Sequence, residues 1–150
     1  MKSDAFAGII DFAIAREEEA HAFYADLATK VKNPNMQSVF REFAQEELGH
    51  KARLQGIKAG KVNPDVSREI KDLKLADYTV EVEATADIDY QHALILAMKK
   101  EKAAFRLYND LASTVADAGL KSVFKALAQE EAKHKLRFEI EYDDNILSEN

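Results

Sequence analysis

Six acidic and imidazole residues stand at positions where the helical pattern of the chain places buried apolar side chains. They are Glu17, Glu47, His50, Glu101, Glu131 and His134. A carboxylate buried without compensation is costly, and it is relieved by proton uptake, by an ion pair or by a metal ion. Oxygen and imidazole ligands without thiolates suit iron or manganese, and zinc can occupy such a site too. The pattern therefore predicts a metal centre, with buried ion pairs as the alternative.

Four of the six residues form two Glu-x-x-His pairs. Glu47 is followed by His50, and Glu131 by His134. Residues three apart on a helix have Cβ atoms about 5–6 Å apart, so both side chains of a pair can reach one ion. One Glu from each of two helices, with Glu-x-x-His from each of two others, is the di-metal ligand set of ferritin-like bundles. Four carboxylates with neutral imidazoles would also balance the charge of two divalent ions.

The other two glutamates are spaced to complete this ligand set. Glu17 and Glu47 are centred on a first predicted turn, and Glu101 and Glu131 on a second. In an antiparallel hairpin, residues at equal distances from the turn lie side by side. At 1.5 Å rise per residue, each pair would lie roughly 22 Å from its turn. We therefore expect each pair to face across its own hairpin.

Four apolar runs with a spacing of three to four residues predict the helices that carry these ligands. The first two runs form a hairpin over about residues 3–60, with Gly60 as a C-terminal stop. The last two form a hairpin over about residues 87–146, with Asp87 as the helix N-cap. A connection over about residues 61–86 is long for a compact domain unless it crosses the length of a bundle.

Inside this crossover, Asn63-Pro64-Asp65 predicts a turn and Ser67 could cap a short helix ending at Lys74. The alternating residues 78–85 predict extended backbone. The chain also matches itself at a shift of 84 residues, most clearly in SVFREFAQEELGHKAR and SVFKALAQEEAKHKLR. We therefore predict an all-α fold in a single domain over residues 1–150. It is a ferritin-like four-helix bundle of two antiparallel hairpins joined by a long crossover.

Composition excludes several classes of protein and site. The 150 residues include no Cys, which excludes disulfides, thiolate metal sites and a thiol nucleophile. The formal charge of −6 argues against nucleic acid or anionic lipid as the main partner. No apolar run approaches the roughly 20 residues of a membrane helix. The N-terminal stretch does not have the pattern of a secretory signal, so we expect a cytoplasmic protein.

The doubled motif resembles that of the rubrerythrin group of the ferritin-like superfamily. Its segments here are EEEAHAFY with EELGH, and EKAAFRLY with EEAKH. The resemblance implies two iron ions, for which manganese or zinc could substitute, in a non-haem centre that reacts with peroxide or dioxygen, often in oxidative-stress defence. It implies that the glutamates noted above are metal ligands, some of them bridging. His50 and His134 would be the terminal nitrogen ligands.

Two departures from the typical rubrerythrin pattern bear on the reaction. Typical members append a four-Cys rubredoxin domain that delivers electrons, and the absence of Cys predicts an external electron donor instead. Typical members also have a further Glu three residues after the third-helix ligand, which exchanges with a His as iron changes redox state. Ala104 stands at that position, and Ala20 at its counterpart in the first repeat. We therefore expect both histidines to stay bound.

Three functions remain open on the sequence. The first is a di-iron oxidoreductase that reduces hydrogen peroxide. The second is a ferroxidase that oxidises ferrous iron for storage or delivery, and the third is a non-catalytic interaction module stabilised by metal. The resemblance also implies a homodimer. Tyr24 and Tyr108 follow Glu17 and Glu101 by seven residues, so they either hydrogen-bond a ligand carboxylate or are ordinary core tyrosines.

Overall fold

The computed structural model describes residues 2–60, 78–80 and 89–147, and the side chains of residues 5–60, 78–80 and 89–145 within them. Its helices are α1 (Lys2–Lys30), α2 (Pro34–Ala59), α3 (Tyr90–Thr114) and α4 (Ala118–Tyr142), followed by a π-helical turn at Asp143–Leu147. These residues contain no β-strand, so their structure is all-α as predicted. None of the helices among them has the length and apolar character needed to cross a membrane.

The turn between α1 and α2 has a sequence-encoded start signal for the second helix. The side chain of Asn33 accepts hydrogen bonds from the backbone N–H groups of Asn35, at 2.8 Å, and Met36, at 3.4 Å. Pro34 is the first helical residue, where its fixed φ suits the helix and its missing N–H costs nothing. At the other end Gly60 is the C-cap, which confirms the predicted stop.

The helices α1 and α2 pack antiparallel in the first of the two compact units into which the chain divides. Ion pairs join their outer faces, Lys58 with Asp11 at 2.6 Å and Lys51 with Glu18 at 3.1 Å. Their inner faces bury the apolar stripe that the spacing predicts, which includes Phe6, Ile10, Ala13, Tyr24, Leu27, Met36, Phe40 and Leu54. The helical period therefore determines which side chains enter the interior of this hairpin.

The helices α3 and α4 make the corresponding antiparallel hairpin in the second unit. The carboxylate of Asp89 accepts the backbone N–H of His92 at 2.8 Å and so caps α3. This hydrogen bond lowers the pKa of Asp89 below its ordinary value. At the far end of α3, the Lys121 ammonium donates to the carbonyl of Ala112 at 2.8 Å. It satisfies one of the carbonyls that a helix leaves open at its C-terminus.

Most of the predicted crossover lies outside the described residues. This holds for the turn at Asn63-Pro64-Asp65, the helix from Ser67 to Lys74, most of the extended stretch over residues 78–85, and the N-cap Asp87. The crossover is described at residues 78–80. There Tyr78 is buried, and its hydroxyl donates to Asp110 of α3 at 2.6 Å. The predicted limits of the domain and of its hairpins remain predictions.

The Asn33→Ala substitution is expected to lower the free energy of unfolding by about 1 kcal/mol, because α2 loses its N-terminal cap. Chemical denaturation of the apo-protein measures this change through the midpoint at unaltered slope. Asn35→Ala is the matched control. Asn35 contributes only its backbone N–H to the cap, and alanine keeps that group. Equal stability of the two variants would contradict a capping role for the Asn33 side chain.

Candidate metal centre

The first hairpin brings together Glu17, Glu47 and His50, which we call the first half-site. The Nδ1 atom of His50 lies 2.9 Å from Oε2 of Glu17 and 3.0 Å from Oε1 of Glu47. One ligand atom of each residue lies within 4.8 Å of those of the other two. Each residue is only 1% exposed. Two carboxylates and an imidazole therefore converge in the dry interior between α1 and α2.

The second hairpin repeats this arrangement with Glu101, Glu131 and His134, the second half-site. The Nδ1 atom of His134 lies 3.5 Å from Oε1 of Glu101 and 3.4 Å from Oε1 of Glu131. The ligand atoms again fall within 4.8 Å of one another, and no residue of the three is more than 2% exposed. In both half-sites, the nitrogen that faces the carboxylates is Nδ1.

The local geometry of the helices explains both half-sites. The Glu and His on α2 or α4 are three residues apart, which puts them on one face of the helix. The remaining Glu comes from the partner helix at the level that the hairpin spacing predicts. The sequence therefore predicted the burial of all six residues and their grouping within each hairpin. Their role as metal ligands stays a prediction.

Two contacts between α1 and α2 hold the helices in register beside the first half-site. A ring nitrogen of the half-buried His21 lies 2.8 Å from the carbonyl oxygen of Ala44, which precedes Glu47 by three residues. On the outer side, the ion pair of Lys51 with Glu18 joins residues adjacent in sequence to His50 and Glu17. His21 thus lies at the boundary between the interior and the solvent, and it also links the two helices.

Tyr24 and Tyr108 are almost completely buried, at 0% and 1% exposure. The ring of Tyr24 stacks on Phe40 with centroids 6.0 Å apart and meets Phe43 edge-on at 6.4 Å. This packing agrees with a core tyrosine, and a hydrogen bond to a ligand carboxylate stays a prediction. Ala20 is buried and Ala104 is half-buried. Typical members have a further glutamate at the position of Ala104. An alanine side chain offers no ligand atom, either there or at Ala20, its counterpart in the first repeat.

Sequence reasoning missed one buried polar pair. The hydroxyl of Tyr90, at the start of α3, donates to Oε2 of Glu141 near the end of α4. Glu141 is 6% exposed, whereas the next residue, Tyr142, is only half-buried. Burial, followed by the hydrogen bond to Glu141, raises the pKa of Tyr90 far above its ordinary value. The signal for Glu141 was available, because it stands seven residues after His134 on the same face.

The described residues of each half-site fit a metal ion by their chemistry. Each half-site offers two carboxylates and one imidazole nitrogen, the donor types that suit iron, manganese or zinc. Two carboxylates with a single imidazole leave net negative charge in a region that excludes water, and a cation offsets that charge. A metal ion therefore offsets the charge of the two carboxylates in each half-site better than the imidazole alone can.

Comparison with known proteins agrees with the fold. A crystal structure from Thermotoga maritima, described as a candidate ferritin-like diiron-carboxylate protein, matches at 22% identity with a TM-score of 0.74. The match covers 97% of this chain and 96% of that one, so the fold is the predicted ferritin-like four-helix bundle. No curated protein sequence is significantly similar to the chain. The rubrerythrin family model matches residues 8–142, and the chain therefore belongs to the rubrerythrin family.

Proposed function

We propose that this protein is a di-iron oxidoreductase that reduces hydrogen peroxide with electrons from an external donor. The two half-sites together form its centre, with four glutamates and two histidines around two iron ions. The observation that carries the proposal is the occurrence, once in each hairpin, of the same buried set of two carboxylates and one imidazole. Membership of the rubrerythrin family supports the joining of the two sets into one centre.

The charge of the ligand set supports two divalent ions. Four ionised carboxylates with neutral imidazoles carry four negative charges, which two divalent cations neutralise. Metal binding requires the ligands in these protonation states, so loading with metal releases any proton that the apo-site holds. In the first half-site an ion would take the place of the hydrogen bond between Nδ1 of His50 and Oε2 of Glu17.

The glutamates and the histidines of the two half-sites have different roles in the proposed reaction. Two bound ferrous ions would supply the two electrons that break the O–O bond of peroxide. Glu17, Glu47, Glu101 and Glu131 hold negative charge against the ions, which favours the more highly charged oxidised pair. His50 and His134 are neutral donors that fix the positions of the ions without adding charge. The buried surroundings exclude bulk water and strengthen each of these interactions.

The electrons that restore the reduced state must come from outside this chain. Its sequence has no Cys, so it offers no thiolate-bound iron to pass them on. A separate redox protein or a small reductant is therefore the donor in this proposal.

Anaerobic loading followed by peroxide titration tests the function. The protein is given two ferrous ions per chain, and stopped-flow absorbance follows their oxidation after hydrogen peroxide or dioxygen is added. We expect one peroxide to be consumed for every two ferrous ions, faster than by the same concentration of free ferrous ion. Faster oxidation by dioxygen than by peroxide would favour a ferroxidase. Metal binding without oxidation by either would identify a metal-stabilised interaction module.

A further inference from the structure

The pair formed by Tyr90 and Glu141 lies at one end of the second hairpin, outside the metal ligands. The phenol donates to one carboxylate oxygen, and Nη1 of Arg137 lies 3.7 Å from the other. Glu141 is 6% exposed, so its carboxylate is almost removed from water. Tyr90 is half-buried. A phenol in this position has a fixed acceptor for its proton.

The fold does not require a polar pair at this place. At the shift of 84 residues that relates the two repeats, Tyr90 corresponds to Phe6 and Glu141 to Ile57. Phe6 is buried and Ile57 is half-buried, so the first hairpin fills the same positions with apolar side chains. Burial of a carboxylate costs free energy that an apolar residue would not cost. The second hairpin therefore has a chemical feature that packing alone does not explain.

The pair lies on the same two helices as the second half-site. Glu141 follows His134 by seven residues, which is about 10 Å along α4 at 1.5 Å per residue. The fully buried Phe138 lies between them on the same face. An apolar gap of this kind stops a proton, whereas an electron can cross it. Any exchange between the pair and the metal centre is therefore an electron transfer, with the proton kept locally.

We propose that Tyr90 is an auxiliary one-electron donor to the metal centre and that Glu141 accepts its proton. The proposal rests on the peroxide-reducing function. It applies when the site holds one ferrous ion, which gives only one of the two electrons that peroxide requires. Tyr90 gives the second electron and becomes a neutral phenoxyl radical, and its proton moves to Glu141. Two protons from solvent complete two molecules of water, so atoms and charge balance.

The protonation state of the phenol supports this coupling. Because burial and the neighbouring carboxylate raise the pKa of Tyr90, the phenol stays protonated at physiological pH. Its oxidation must then release a proton, and the hydrogen bond to Glu141 gives that proton a defined path. Arg137 stabilises the carboxylate before the transfer.

Photochemical oxidation of the apo-protein tests the pair without any metal. Flash-generated tris(bipyridine)ruthenium(III) is the one-electron oxidant, and tyrosyl radical is measured by absorbance and by electron paramagnetic resonance. We expect the main radical to be lost in Tyr90→Phe, which restores the residue type of the first repeat. In Glu141→Gln, which accepts the hydrogen bond but not the proton, we expect radical formation to slow by about a hundredfold.

Tyr142→Phe is the matched control, because Tyr142 is a neighbouring half-buried tyrosine that bonds Gln91 instead of a carboxylate. Its radical yield should equal that of the wild type. A wild-type radical yield in Tyr90→Phe, or a wild-type rate in Glu141→Gln, would overturn the proposal and leave the pair as a structural link. Circular dichroism of each variant is the check that it is folded.

A second measurement connects the pair to the metal centre. Protein loaded with one ferrous ion per chain is mixed with peroxide and frozen for electron paramagnetic resonance. We expect a tyrosyl radical in the wild type and in Tyr142→Phe but not in Tyr90→Phe. A wild type that also lacks the tyrosyl radical would overturn the role of Tyr90 as an electron donor. Because the photochemical result needs no metal and the diferrous titration does not involve Tyr90, failure of this inference is distinguishable from failure of the proposed function.

Discussion

Glu47→Gln is expected to lose tight binding of at least one metal ion and to consume peroxide more than about a hundredfold more slowly than the wild type. Replacing a residue that only orients a metal ligand typically lowers metal affinity or activity by about 10–100-fold. Loss of a ligand itself should exceed that range. The substitution keeps the size of the side chain and removes its charge at a position that is 1% exposed. Ferrous binding followed by calorimetry and peroxide consumption by stopped flow measure the two effects.

The neighbouring residue gives a matched control. Glu46→Gln removes the same charge one position earlier, where the side chain is half-buried and off the stripe that faces the half-site. We expect it to bind two ions and to consume peroxide at close to the wild-type rate. The repeat supplies an independent second pair, with Glu131→Gln as the ligand variant and Glu130→Gln as its control. Wild-type metal affinity in both ligand variants would contradict the assignment of these glutamates.

The sequence predicted the half-sites because their geometry depends on local rules. A helix has a fixed period, so an acidic residue that replaces an apolar one on the stripe must enter the interior. A hairpin has a fixed register about its turn, so Glu17 had to meet the Glu47-His50 pair. Both rules need only positions along the chain, and the 84-residue repeat applied them twice. No contact between distant segments had to be known.

The features that were missed are ones that periodicity alone does not decide. Glu141 was on the correct stripe, but Tyr142 was equally compatible with a pattern that weakens at the end of α4. The acceptor role of Glu141 depends on Tyr90, which reaches it only because α3 begins at the level where α4 ends. Likewise, Asp89 caps α3. The sequence alone does not show which of Asp87 and Asp89 takes the cap position.

Metal loading is expected to raise the melting temperature of the protein strongly. An ion that binds only the folded state stabilises it by about 4 kcal/mol at a free concentration a thousand times its Kd. For a chain of this length, that corresponds to a rise of roughly 8–16 °C. Calorimetry of the apo-protein, the loaded protein and the loaded protein after chelation measures the change. An unchanged melting temperature on chelation would contradict an internal metal centre.

The choice of ion then separates stabilisation from chemistry. Zinc accepts the same oxygen and nitrogen ligands but has no redox chemistry. The zinc-loaded protein should therefore show a large rise in melting temperature and no consumption of peroxide, whereas the iron-loaded protein should show both. The double variant Glu47→Gln/Glu131→Gln is the control, since removal of one buried carboxylate from each half-site should abolish most of the rise with either ion. Its apo-form should melt above the wild-type apo-form, because fewer buried negative charges face one another without a cation. A double variant that zinc still stabilises as strongly as the wild type would place the bound ion elsewhere in the protein.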